Sequence, residues 1–343
     1  MADERDPGLA GDDLRSGGGV EVGVAGYGAS TAVLGQEPPE ARGVATARGR
    51  ALPAADRATA VARRRWRQLS WGFWVATGVV VLWILVALLA GVLPIDNPNN
   101  IDFSCLASSS PSGAHLLGCD PAGRDTLARV LYGSRVSLII GFASIAIGIV
   151  VGGVLGLLAG YFRGAIDEVL GVVSNVFLSF PSLVLGLVIV TYIGRSLFDI
   201  TLVIAIVAWP LLFRVVRAAT IESAQRDYVL AAKALGARPS RILRTVLLSD
   251  VVPVAITYGL IGVALAIVGE GALSFLGLSV PPPTATWGNM IAEGANSVSS
   301  VASSGASLSL LLSPSIAMFS FILAINFMGD RLRSVLDVRQ GVI

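Results

Sequence analysis

The sequence predicts an all-α membrane protein with six transmembrane helices and a disordered N-terminal tail. Composition is the first reason. Of the 343 residues, 54% are hydrophobic and 14% charged, and mean hydropathy is +0.75; a soluble domain carries about a quarter charged residues. The second reason is a set of six apolar stretches near the roughly 20 residues that a helix needs to cross hydrocarbon. The third is the placement of arginines, which crowd alternate connections between those stretches as the positive-inside rule requires.

Residues 1–60 are rich in Gly, Ala, Pro, Asp and Arg and hold one aromatic, Tyr27. Such a composition buries too little apolar surface to offset the entropy of ordering, so a disordered cytoplasmic tail is expected. It also lacks the basic start, apolar core and small-residue cleavage site of a secretory signal. Arg63, Arg64, Arg65 and Arg67 then precede an uncharged run from Trp71 to Leu93, the first span. Further spans are expected at about 135–161, 168–193, 200–219, 251–275 and 306–328. Arg214 and Arg217 fall in the last turns of the fourth, where long cationic side chains can reach toward headgroups. Pro181 and Pro314 read as kinks in the third and sixth.

With a cytoplasmic N-terminus, the inner side collects Arg163, Arg214, Arg217, Arg226, Lys233, Arg238, Arg241, Arg244, Arg331, Arg333 and Arg339 beside the first arginine cluster. The outer side holds Arg124, Arg129, Arg135 and Arg195, and residues 276–305 carry no cation. Both termini are therefore predicted to be cytoplasmic. The resulting map is a tail at 1–60, a membrane domain at 71–328 with outer loops 94–134 and 276–305 and an inner loop at 225–250, and a C-terminal segment at 329–343.

Four features inside this map bear on function. Gly148, Gly152, Gly156 and Gly160 recur every fourth residue, a row that lets helices approach closely in lipid, within the subunit or toward a partner. Glu270 is the carboxylate set deep in a predicted span, sharing a face with Tyr258, Gly262 and Ala266. An intramembrane acid is costly and seldom faces lipid; it lines a pathway or outer gate, or it is buried and hydrogen-bonded. Cys105 and Cys119 fall in the first outer loop. There they either bridge, closing a loop of about 15 residues for roughly 3 kcal/mol in the chain-entropy picture, or remain free thiols; His115 alone makes a metal site with them unfavoured. Finally, Gln225–Pro253 lies between two apolar spans. Tyr228, Ala231, Ala232 and Leu235 share one face of a short helix, Gly236 suits a left-handed C-terminal cap and Pro239 the first turn of a second helix. The element is either an amphipathic loop or a docking site, whose small residues let another surface approach the backbone.

Ala231-Ala232-x-x-x-Gly236 resembles the EAA loop of binding-protein-dependent ABC importer permeases, with Leu230 in place of the leading acid and Ser249 in place of a downstream proline. Gly118–Asp125 and Tyr132–Ser137 resemble the stretch before the second span in permeases for dipeptides, oligopeptides and nickel. Gly271–Gly277, Pro282-Pro283, Trp287–Ile291 and Asn326–Arg333 resemble other parts of the same family, so the likeness covers about residues 71–340 and points to its C-type subunit. The resemblance implies the type I ABC importer permease fold. It also implies that Arg226, Asp227, Tyr228, Ala231, Ala232, Lys233, Leu235, Gly236, Ala237 and Arg238 form the ATPase-coupling loop, seated in a groove of a cytoplasmic ATPase. The implied partners are a homologous B-type permease subunit, two ATP-binding subunits that carry ATP and Mg, an extracytoplasmic substrate-binding protein and membrane lipid, with no nucleic acid. No catalytic residue, metal or cofactor is expected in this chain.

Several classes are excluded by residue type. A phosphate-binding P-loop needs Gly-x-x-x-x-Gly-Lys-Ser/Thr, and the sole lysine lies in Ala-Ala-Lys233-Ala-Leu. A His-Glu-x-x-His metalloprotease needs two histidines, and His115 is the only one. A secondary transporter, the rival from another class, usually carries inverted repeats and ion-coupling groups in its spans; no clear repeat is present and Glu270 stands alone. Peptides are the expected cargo, with nickel or another small solute as the alternative.

Overall fold

The computed structural model describes residues 71–92, 95–107, 111–300 and 305–337. The expected tail at 1–60, the first arginine cluster and Arg339 lie outside the described residues. Among those described, regular structure is helical apart from one isolated bridge between Cys119 and Asp125. The helices are α1 (Trp71–Leu89), α2 (Phe103–Ala107), α3 (Thr126–Phe162), α4 (Gly164–Ser179), α5 (Ser182–Ile193), α6 (Leu197–Ser223), α7 (Asp227–Ala234), α8 (Pro239–Phe275), α9 (Trp287–Ser300) and α10 (Gly305–Asp337).

Among the described residues five helices, α1, α3, α6, α8 and α10, are long and apolar enough to cross a membrane, and α4 with α5 makes a sixth if the bent pair counts as one span. That pair corrects the expected third span. Pro181 does more than kink it: the two halves meet at 93°. The residue before a proline is pushed out of the helical region, and Phe180 accordingly sits at ψ 138°. Pro210, Pro253 and Pro314, by contrast, lie inside continuous helices.

The second span starts earlier than expected. Asp125 accepts hydrogen bonds from the amides of Leu127 and Ala128, a side-chain N-cap, so the helix opens at Thr126 and takes Arg129 and Arg135 into its first turns. Its 37 residues reach about 55 Å at 1.5 Å each, beyond the hydrocarbon. The loop at 276–305, expected on the outer side, contains α9, and the C-terminal segment is helical as far as Asp337.

The glycine row of α3 packs inside this subunit. A Cβ placed on Gly152 would lie 2.6 Å from the carbonyl oxygen of Trp209, one on Gly156 2.7 Å from that of Phe213, and one on Gly160 2.7 Å from Thr220 Cβ. The backbones of α3 and α6 are thus in direct contact. Arg214 and Arg217, in the last turns of the fourth expected span, both bond side chains of α4. Arg214 donates to Asn175 at 2.7 Å, and Arg217 grips both oxygens of Asp167, Nη2 at 2.6 Å. Both cations tie α6 to α4.

Candidate functional site

The short helix α7 ends as its sequence requires. Gly236 has φ +78°, its amide donates to Lys233 O at 3.0 Å, and the amide of Ala237 donates to Ala232 O at 3.0 Å. This pair of bonds is a Schellman closure, which satisfies carbonyls that would otherwise be left unpaired at the helix end. Pro239 then occupies the first turn of α8. The first turn of α8 is followed by a π-helical segment, Ile242–Leu247, and the helix runs on into the span. The second helix of the loop and the fifth span are therefore one rod, not two elements.

Val229 fixes α7 to the bundle. It is fully buried, with Ala224, Ile242, Leu243 and Leu247 around it and Leu157, Leu158 and Tyr161 of α3 at the edge. The predicted stripe is largely exposed. Tyr228 and Leu235 are 42% and 88% exposed, Ala231 is exposed, and Ala232 is half-buried against the Val229 cluster. Leu230 is also exposed. Sequence periodicity located the apolar stripe but missed Val229, the one fully buried residue of the helix.

Polar contacts brace both sides of α7. The Tyr228 hydroxyl donates to Asp250 of α8. Burial, followed by the Asp250 carboxylate, pushes the Tyr228 phenol up from its usual range, so it stays a donor at neutral pH. Lys233 Nζ sits 5.0 Å from the centroid of the Tyr161 ring at the end of α3, a cation–π distance. Arg226 pairs with Glu222 at 3.2 Å. Asp227 lies in the first helical turn, where a carboxylate complements the helix dipole. Arg238 is exposed at the start of α8 and Ala237 half-buried. All ten residues of the predicted loop are thus brought together on one knuckle, which contacts α3 and α8 through three separate side chains.

A cavity of about 480 Å³ lies between α5, α6 and α8. Tyr258, Gly262 and Ala266 line it, as their shared face predicts, and Ser182 and Tyr258 are its polar side chains. Glu270 does not line it. The carboxylate is 1% exposed, and its Oε1 accepts hydrogen bonds from Ser274 at 2.9 Å, Ser279 at 2.6 Å and Thr286 at 2.9 Å. Of the two readings of this acid, the geometry is that of a buried, hydrogen-bonded carboxylate.

At the end of the bundle opposite α7, Cys105 and Cys119 are joined in a disulfide, with Cα atoms 6.2 Å apart. Ligand atoms of Cys105, His115 and Cys119 lie within 4.8 Å of one another, but sulfurs bonded to each other offer no thiolate to a metal. His115 is held between Asp102, 3.2 Å from Nε2, and Asp125, 3.4 Å from Nδ1. The hydrogen bond to Asp102 raises the His115 pKa, with burial opposing it. Sequence reasoning also missed a buried ion cluster beside this loop. Arg129, fully buried, lies 3.3 Å from both Asp120 and Glu293, while Arg124 reaches Asp120 at 2.6 Å. The Asp120–Arg124 spacing was a local signal; Arg129–Glu293 spans two distant elements and left none.

Comparison with known proteins matches this architecture. A family model described as the binding-protein-dependent transport system inner membrane component covers residues 152–342. The chain is 36% identical over 265 residues to the glutathione transport system permease protein GsiD of Pectobacterium atrosepticum, covering 77% of this chain and 86% of that one. It is 32% identical over 297 residues to the dipeptide transport system permease protein DppC of Alkalihalophilus pseudofirmus, covering 84% and 94%. Among solved structures, an inward-facing form of the MetNI methionine ABC transporter superposes with a TM-score of 0.50 at 19% identity, over 61% of this chain and 97% of the matched one; that likeness is one of fold. The chain belongs to the family of binding-protein-dependent transport system inner membrane components, the membrane permease components of ABC transporters, and is not itself the ATPase.

Proposed function

We propose that this chain forms half of the translocation pathway of an ATP-driven importer for di- or oligopeptides in the cytoplasmic membrane. A homologous B-type permease subunit supplies the other half. Two ATP-binding subunits hold ATP and Mg, an extracytoplasmic binding protein delivers the cargo, and both termini are cytoplasmic. The observation that carries the reading is the α7 knuckle: a rigid helix presents Leu230, Ala231 and Leu235 outward while Val229, Tyr228 and Lys233 clamp it to α8 and α3. A push on its exposed side is transmitted to the spans as rigid-body motion, because packed elements shift between discrete arrangements and do not deform continuously. The peptide cargo rests on the relatives named as dipeptide and glutathione permeases. The cavity lining carries no imidazole, thiol or carboxylate, which favours an organic cargo over a bare metal cation.

Leu235→Glu tests the coupling. Leu235 is 88% exposed and contributes little to the fold, so the complex should assemble, hydrolyse ATP and fail to take up labelled peptide. Uptake near the parent level in a Leu235→Glu complex would refute the docking role. Direct binding of labelled dipeptides and longer peptides to the associated binding protein identifies the cargo.

A further inference from the structure

The geometry points to Glu270 as the positioning residue of a cap that closes the bundle at the end opposite α7. The cap is the segment 276–286 together with α9. Three hydroxyls meet at one atom: Ser274 of α8, and Ser279 and Thr286 of the connecting segment, the last directly preceding α9, all donate to Glu270 Oε1. Thr286 relays this anchor. Its Oγ1 also accepts the Asn289 amide at 3.0 Å, an N-cap of α9, and Asn289 Nδ2 returns to Val280 O at 2.7 Å. One acceptor oxygen gathers the three hydroxyl protons, and the side-chain carbonyl oxygen of a glutamine offers an acceptor at the same place.

The cap is pressed against α8 at this level. A Cβ on Gly288 would lie 2.7 Å from both Glu270 Oε2 and Gly271 Cα. Elsewhere α9 is fastened to α3, where the Trp287 amide donates to Ser137 Oγ at 3.0 Å and the Trp287 indole to Val130 O at 3.1 Å. Gly269, Ala272 and Leu273, which flank Glu270, line the apolar cavity. The same turn of α8 therefore faces the cavity on one side and carries the cap on the other. Glu270 rides on the rod that begins at the α7 knuckle, so movement of α8 bears directly on the atom that holds the cap. That last step rests on the transport reading above; the cap assignment itself does not.

A buried cysteine reports the cap. Met290 of α9 is fully buried, and the native cysteines are paired, so Met290→Cys gives this chain its one free thiol. In the solubilised complex without nucleotide or peptide, with labelling read on this chain alone, a polar maleimide should label it at least tenfold faster when Glu270→Leu is added. Glu270→Gln, which keeps an acceptor oxygen, should stay within about threefold of the parent. Ser279→Ala with Thr286→Val, which removes two donors and leaves the acid, should also accelerate labelling severalfold. Ala224→Cys, buried at the α7 end, should remain protected in every background and so separates opening of the cap from general unfolding. Equal protection of Met290→Cys with and without Glu270→Leu overturns the assignment, as does exposure of both reporters together. Because no transport is measured, failure here leaves the Leu235→Glu result to judge the transporter reading separately.

Discussion

Gly152→Ala should separate α3 from α6, although it adds a single methyl group. The new Cβ would lie 2.6 Å from Trp209 O, 2.8 Å from the Phe213 amide nitrogen and 3.1 Å from Leu212 Cβ. The two nearest are backbone atoms, which cannot rotate away as a side-chain tip can. Ordinary contact at about 3.5 Å then requires the helices to part by on the order of 1 Å, loosening the interface along its length. Overpacking of this kind costs typically about 1–3 kcal/mol, a factor of roughly 5 to 150 in the folded-to-unfolded ratio at about 1.4 kcal/mol per tenfold. Neighbouring positions provide the controls. At Gly148 the nearest atom is Leu212 Cδ1 at 2.9 Å, a flexible end, and at Gly153 nothing lies within 4 Å. Denaturant titration in mild detergent should rank the alanine variants Gly152 and Gly156 least stable, Gly148 intermediate, and Gly153 unchanged or slightly improved, since alanine is the better helix former. A Gly153→Ala loss equal to that of Gly152→Ala would refute the packing account.

Two further predictions concern the end opposite α7. His115 has a raised pKa, mainly through its hydrogen bond to Asp102. Its clasp on Asp102 and Asp125 is therefore fully present below the ordinary imidazole pKa and lost as pH rises through the higher folded value. Reduction of Cys105–Cys119 by a phosphine should accelerate across that window, and His115→Gln should flatten the profile; identical profiles would remove His115 from the clasp. Arg124 and Arg129 both face the buried carboxylate of Asp120, at 2.6 and 3.3 Å, so Arg124→Ala combined with Arg129→Leu leaves it without a cation and should destabilise by about 3–5 kcal/mol. Either substitution alone should cost less, because the other arginine still faces Asp120; thermal unfolding in detergent compares the three variants, and a single-variant loss equal to the double would refute the sharing.

Much of the chain was legible because local chemistry decides it. Apolar length identified α1, α3, α6, α8 and α10, since a helix in lipid must satisfy its own backbone. Gly236 and Pro239 marked the end of α7 and the start of α8 because φ +78° favours glycine and the first helical turn accepts proline. The glycine row announced a close helix contact. Pro181 was visible, but the 93° between α4 and α5 was not, because proline permits a kink or a break and the surrounding packing selects one.

Tertiary structure alone chose the partners. The sequence contains Glu270, Ser274, Ser279 and Thr286, but only the fold of α9 back onto α8 brings the last two hydroxyls to the carboxylate. Val229 and Leu235 are both apolar residues in or just past one eight-residue helix, and nothing in their spacing says that one is fully buried and the other 88% exposed. Burial is a property of what lies opposite, and what lies opposite Val229 comes from residues 157–161 and 242–247. Periodicity within a segment is set by backbone geometry and can be read from sequence; the identity of the facing surface depends on contacts between segments far apart in the chain.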